Sequence, residues 1–297
     1  MKKILIFGVT GMLGNQVLRV FSQINKFKII ATYRNKKDLK ILKQNFKNLK
    51  KIKFVKFDAE NYNFPSLKKI IGNNDIILNN IGIIKPHIDE KSTNSILRAI
   101  KVNAVFPNNI SEVIKNKSTR LYQIATDCVY NGKGNKYCEN SDHNPTDVYG
   151  KTKSLGEVSQ RNVFNLRVSI IGLETKGYLS LVSWYLKNKN QTINGFVDHK
   201  WNGVTTNTFA NLLKTIIIKN INLPNKIHIL PKNILTKYSL LKLFKLRFKG
   251  NGKIRKIKSS NSINRVLKTN FHSMNSKIWK LSSYKRILTI KEMINEI

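Results

Sequence analysis

Acidic residues are scarce in this chain: 16 Asp and Glu stand against 54 Lys and Arg over 297 residues, a formal net charge of +38. A surplus of that size raises a nucleic-acid reading. The distribution argues against it, because Lys and Arg are spread over every segment rather than gathered in one arm, and they accompany an excess of Asn and Ile, the pattern of compositional drift. No zinc finger, basic zipper or aromatic RNA-binding motif occurs. From His199 to Met293 the only acid is Glu292, so the C-terminal part carries a positive field that would attract a polyphosphate.

Cysteine is also nearly absent. Cys128 and Cys138 form no Cys-x-x-Cys pair, and no His/Cys cluster has metal-ligand spacing, which excludes a disulfide framework and a zinc site. No apolar run reaches the roughly 18 residues of a membrane span. The chain opens directly on a core-strand pattern, so the expectation is a protein of the reducing cytoplasm with no export leader and no anchor. Neither nucleic acid nor membrane is expected as a partner. The length suits one large α/β unit with a smaller lobe.

What the chain does have is alternation. Short apolar runs at residues 3–7, 29–33, 52–57, 75–79, 120–125 and 164–168 are separated by helix-length segments, which predicts a doubly wound parallel sheet of the Rossmann type. The longest helix pattern runs from about Ser92 to Lys115, with a kink or break expected at Pro107. The Rossmann domain is expected over residues 1–172. The region 173–297, with its scattered glycines and short helices, reads as a smaller C-terminal substrate lobe, in which about 204–221 would pack back on the Rossmann domain.

The first strand runs straight into Gly8-Val-Thr-Gly11-Met-Leu-Gly14. A buried strand feeding a helix through a glycine turn aims unpaired N–H groups and the positive end of the helix dipole at one point, where a pyrophosphate fits. After the second strand stands Arg34, where an acid would exclude a 2′-phosphate and a guanidinium would pair with one. Asp58 and Gly82 follow the third and fourth strands. Thr126 ends the fifth, and Tyr149-Gly-Lys-Thr-Lys153 puts a phenol and an ammonium one helical turn apart on one face. A neighbouring cation would lower the phenol pKa from its usual value near ~10 and make Tyr149 a usable proton donor.

These motifs, in this order, resemble the extended short-chain dehydrogenase/reductases. Thr126-Asp-Cys-Val-Tyr130, Tyr149-Gly-Lys-Thr-Lys-Ser-Leu-Gly-Glu157, Gly203-Val-Thr-Thr206 and Ile227-His-Ile-Leu230 look most like the dTDP-4-dehydrorhamnose reductase group. The resemblance spans nearly the whole chain and is specific over the first half. It implies that Gly8, Gly11, Met12, Leu13, Gly14, Arg34, Asp58, Gly82, Tyr149 and Lys153 bind the cofactor; Arg34 after the second strand favours NADPH, with NADH left open. Thr126, Tyr149 and Lys153 would be catalytic. Lys85, Asn103, Trp201, Asn202, Thr205 and Arg265 are the implied substrate contacts.

The reaction implied is reduction of the 4-keto group of a nucleotide-linked deoxysugar, serving surface polysaccharide synthesis. In dehydratases of the superfamily an Asp-Glu pair follows the Thr and performs the elimination. Here Asp127-Cys128 stands there, which disfavours dehydration. Two other readings stay open: an epimerase with bound NAD, and a non-catalytic NAD(P)-binding regulatory subunit. A homodimer and a bridging divalent ion are likewise open.

Overall fold

The structure is a computed structural model that describes residues 1–46, 49, 51–134 and 136–297. The N-terminal part alternates as expected: β1 (Lys2–Phe7), α1 (Met12–Ser22), β2 (Phe27–Tyr33), α2 (Lys36–Gln44), β3 (Ile52–Lys56), α3 (Phe64–Ile71) and β4 (Ile76–Asn79). Then come α4 (Thr93–Ile100), α5 (Phe106–Ile114), β5 (Arg120–Ala125), α6 (Val148–Leu155) and β6 (Val163–Arg167). The second part adds β7 (Ile170–Ile171), α7 (Leu181–Asn188), β8 (Ile193–Phe196), β9 (Lys200–Trp201), β10 (Val204–Thr205), α8 (Thr206–Ile218) and β11 (Lys226–His228). It closes with β12 (Leu235–Thr236), α9 (Lys237–Arg247), β13 (Ile254–Ile257), α10 (His272–Leu281) and α11 (Ile290–Asn295).

A seven-stranded sheet runs in the order β11-β6-β5-β4-β1-β2-β3. The pairings from β3 through β5 are all parallel. The order reverses between β1 and β4, and ligands of open α/β sheets sit outside the carboxyl ends of the strands at such a switch point. The last four residues of β1 are buried without alternation, as a strand covered on both faces requires. On one side Leu5, Phe7, Ile77 and Leu121 pack against Leu67 and Ile71 of α3 and Phe106, Ile110 and Ile114 of α5. The Phe7 and Phe106 rings meet edge to face at 5.1 Å.

The expected break at Pro107 takes a particular form. Between α4 and α5 the chain makes one π-helical turn, Lys101–Val105, and Pro107 enters at the start of α5. Proline has no N–H for an intrahelical bond, and the widened turn keeps the helix running past it. The backbone carbonyl of Asn103 faces Gly156 at the end of α6, where a Cβ would lie 2.0 Å from that oxygen. Only glycine lets α6 settle so close to the π turn.

By contacts the chain divides into two compact units. Unit 1 comprises Met1–Val129, Pro145–Leu166 and Leu223–Ile227; unit 2 comprises Tyr130–Asn144, Arg167–Asn222 and His228–Ile297. Thus β10 and α8 belong to unit 2, while the segment leading into β11 belongs to unit 1. Unit 2 has its own core, with Tyr185, Phe209, Phe244 and Trp279 fully buried. Its strands form three small ribbons, β7–β10, β8–β13 and β9–β12.

Candidate functional site

The glycine turn is anchored from the second strand. The Gly8 amide donates to the Thr32 hydroxyl at 3.0 Å and the Val9 amide to the Thr32 carbonyl at 3.1 Å. Gly8 has a φ of +77°, and a Cβ at Gly14 would lie 2.1 Å from the Gly8 oxygen, so the turn closes only with glycine at both places. At Gly11 the situation is reversed: an added Cβ would meet nothing nearer than the Gly8 oxygen at 3.5 Å. Seven other helices carry a side-chain N-cap, supplied by Asn63, Ser92, Asp147, Ser180, Thr205, Thr236 and Thr289. Gly11 caps α1 with no side chain. The first turn of α1, at Met12 and Leu13, thus has no capping side chain, and the positive end of the dipole stands behind it. That cradle fits a pyrophosphate.

Beyond the end of β2, Arg34, Asn35, Lys56, Phe57, Asp58 and Asn61 line an open pocket of about 600 Å³. The fold therefore brings Arg34 and Asp58 to one place. Asp58 accepts from the Glu60 amide at 3.0 Å and from Asn61 at 3.4 Å, the bonds of a side-chain turn. Asn35 begins α2 without a side-chain cap bond. Gly82 lies beside Asn103, whose Oδ1 would be 3.4 Å from a Cβ there.

At the carboxyl end of β5 the fold joins Thr126 to Tyr149. The Thr126 hydroxyl stands near enough to the Tyr149 phenol to favour its ionised form. It also accepts from the Cys128 amide and reaches the Asp127 carboxylate, each at 3.2 Å. One turn further along α6, the Lys153 ammonium donates to the Ile124 carbonyl at 2.7 Å. That bond ties α6 to the end of β5.

The electrostatics correct one expectation. Tyr149 does not have a lowered pKa: burial pushes it up, the neighbouring Cys128, Asp127 and Asp147 push it further, and only the nearby Thr126 hydroxyl opposes them. Lys153 does not offset this, because its ammonium is turned to Ile124 and is itself buried. Burial lowers its pKa to about 8, against the opposing charge of Glu157. Desolvation disfavours the charged form of both groups, and here it outweighs their proximity in sequence.

Most of the implied substrate contacts have structural partners. Asn103 is buried, accepting from the Ile83 amide at 2.8 Å while donating to the Ile83 carbonyl and to Thr152. Asn202 clasps the Leu267 backbone in both directions. Trp201 is 5% exposed and donates to Ser169. Thr205 is buried and caps α8. Their polar atoms are spent on the fold. Lys85 pairs with Asp147 at 3.0 Å. Arg265 differs: its Nε donates to the Tyr130 carbonyl at 2.6 Å, and its two terminal nitrogens make no hydrogen bond among the described residues.

Sequence reading passed over Thr32, Glu90 and Asp147. Asp147 is the N-cap of α6, accepting from the Gly150 amide at 2.7 Å. An Asp two residues before Tyr149 at a helix start was the available signal. Thr32 and Glu90 act through contacts distant in sequence and carry no local signal. Among the described residues no His/Cys/Asp/Glu group could hold a metal ion, and no helix is long and apolar enough to cross a membrane.

Residues 87–296 match the model of the RmlD substrate binding domain, well over half of the chain. The chain belongs to the RmlD family. No curated protein matches it by sequence. Among solved structures, this RmlD-family chain is similar to dTDP-4-dehydrorhamnose reductase from Yersinia enterocolitica, at 19% identity and a TM-score of 0.74, over 100% of this chain and 98% of that one. The Bacillus anthracis dTDP-4-dehydrorhamnose reductase, solved in complex with NADP, gives 15% identity and 0.73 over 100% and 98%. UDP-glucuronic acid 4-epimerase from Bacillus cereus, in complex with UDP-glucuronic acid and NAD, gives 16% and 0.75 over 98% and 96%. At these identities the likeness establishes the fold. Reductases and an epimerase score alike, so fold similarity alone does not choose the reaction.

Proposed function

We propose that this protein is an NADPH-dependent reductase of the 4-keto group of a nucleotide-linked deoxysugar, working in the cytoplasm and serving surface polysaccharide synthesis. The observation that carries the reading is the Tyr149 phenol beside the Thr126 hydroxyl at the end of β5, with Lys153 fixed one turn away. Reduction of a ketone needs a proton donor beside an oxygen whose negative charge grows through the reaction. Tyr149, held protonated by burial, gives its proton to that oxygen. Thr126, whose hydroxyl proton rests on Asp127 in the free protein, would turn it to the same oxygen, and Lys153 would hold the nicotinamide ribose. A reduced nicotinamide dinucleotide, its pyrophosphate in the Gly8–Gly14 turn, would supply the hydride.

Arg34 and Lys56, with the uncapped start of α2 at Asn35, support a 2′-phosphate and hence NADPH. Arg34→Ala should raise KM for NADPH about tenfold or more and leave KM for NADH nearly unchanged, consistent with loss of a charge-assisted pair. For the substrate, Arg265 is the contact we retain. Its terminal nitrogens can fork onto a carboxylate or phosphate oxygen pair.

The equal likeness to an epimerase keeps one second reading in view. One assay separates them. Purified protein mixed with NADPH and a panel of nucleotide 4-ketosugars should consume one equivalent of NADPH per sugar reduced. Tyr149→Phe should lower kcat by roughly 10²–10⁴-fold with NADPH binding intact. Protein that purifies with NAD bound and interconverts sugars without net cofactor use is an epimerase. No turnover across the panel removes the reductase reading.

A further inference from the structure

Helix α6 carries both Tyr149 and Lys153, yet it has only eight residues, includes Gly150, and has no acid in its first turn. Such a helix is weak by itself. Its start is held from outside. The Val148 amide donates to Glu90 Oε1 at 2.9 Å, and the Gly150 amide donates to Asp147 Oδ1. The second Asp147 oxygen takes the Lys85 ammonium at 3.0 Å. Tyr149 sits between the two residues whose amides are gripped. Lys85 and Glu90 belong to the loop after β4, and the root of that loop is fixed by the two-way bond between Asn103 and Ile83.

We propose that Lys85 and Glu90 are positioning residues that latch the loop after β4 onto the start of α6 and thereby fix the Tyr149 phenol against Thr126. This rests on the reading of Tyr149 as proton donor and assigns Lys85 a role other than substrate contact. Two carboxylates at a helix N-terminus complement its dipole, but they also crowd negative charge near the phenol. The groups facing Tyr149 are Asp127, Cys128 and Thr126 from the end of β5, and Asp147 from the start of its own helix. Lys85 is the cation bound to Asp147. Its side chain is 63% exposed and that of Asp147 only 10%, so the loop side chain can leave while the capping carboxylate stays.

The test compares Lys85→Met, Lys85→Arg, Glu90→Ala and Glu90→Gln. Hydrogen exchange is followed on the apo protein over residues 148–155, and kcat and KM are measured with the nucleotide ketosugar that the wild type reduces. Lys85→Met and Glu90→Ala should speed exchange about 2- to 10-fold, the range of a partly exposed ion pair and of a charge-assisted cap bond. Their kcat should fall about tenfold through misplacement of the donor, with KM for NADPH within about twofold. Lys85→Arg and Glu90→Gln should restore most of both. The latch is overturned if exchange over 148–155 does not change, and a raised sugar KM with unchanged exchange would make Lys85 a substrate contact instead. A wild type that reduces no sugar would sink the reductase reading alone, because the exchange measurement decides the latch without turnover.

Discussion

Replacing Lys153 with Met separates what this lysine does for chemistry from what it costs the fold. The buried ammonium has its pKa moved from the ordinary 10.5 down to about 8. That gap corresponds to about 3 kcal/mol of folding free energy lost at pH 7 by keeping the group charged inside the protein. The bond to the Ile124 carbonyl is already counted in that environment, and its loss leaves one buried carbonyl without a donor, at about 1–3 kcal/mol. The two changes oppose each other. Lys153→Met should therefore be as stable as the wild type at pH 7, or more stable by up to about 2 kcal/mol. The sign with pH follows. Between about pH 8 and 10 the unfolded chain binds more protons at this site than the folded one, so wild-type stability rises with pH while that of Lys153→Met lacks this slope. The window stops at pH 10 because the raised Tyr149 pKa acts oppositely: its stabilisation is present below the normal tyrosine value and is lost as pH rises above it. Urea unfolding of both proteins at about pH 7, below that window, and at about pH 9.5, inside it, measures the difference. A Lys153→Met protein destabilised by more than about 3 kcal/mol at pH 7 would refute the burial cost.

Gly14→Ala places a methyl group 2.1 Å from the Gly8 oxygen, a backbone atom that cannot swing away, so the turn must open. We expect a loss of about 1–3 kcal/mol in urea unfolding and at least a tenfold weaker NADPH affinity by fluorescence titration. In unit 2, Glu139 accepts from the His228 amide at 2.9 Å, the Asn270 amide at 2.8 Å and the Thr269 hydroxyl. Burial pushes its pKa up, but these hydrogen bonds and nearby His228 outweigh it and hold the carboxyl below its usual range. Its contribution is thus present above pH 4.5 and lost as pH falls through the lowered value. Glu139→Gln should cost about 2–4 kcal/mol at pH 7, with the deficit shrinking on acidification in urea unfolding. The kcat/KM for NADPH should be level below about pH 8 and fall above it as free Lys153 loses its proton, and Lys153→Arg should shift that limb out of range.

The sequence by itself determined the backbone plan. Buried parallel strands read as continuous apolar runs, and the six strand patterns became β1 to β6 within two residues at either end. The glycine spacing predicted the turn, because positive φ and close backbone approach leave no other residue. The Thr126, Tyr149 and Lys153 order pointed to the end of β5 as the candidate site, since helical spacing and strand ends are local properties. Tertiary structure decided the rest. Whether Lys153 lowers its neighbour's pKa or has its own lowered depends on burial, which no motif contains. Asn103, Asn202, Trp201 and Thr205 looked available because polar and aromatic side chains suit ligands, yet distant backbone groups at Ile83 and Leu267, the Ser169 hydroxyl and the start of α8 claim them. The grip of Lys85 and Glu90 on α6 joins residues some sixty positions apart. A hydrogen bond across such a separation is a property of the folded chain, since only packing brings its two ends within reach.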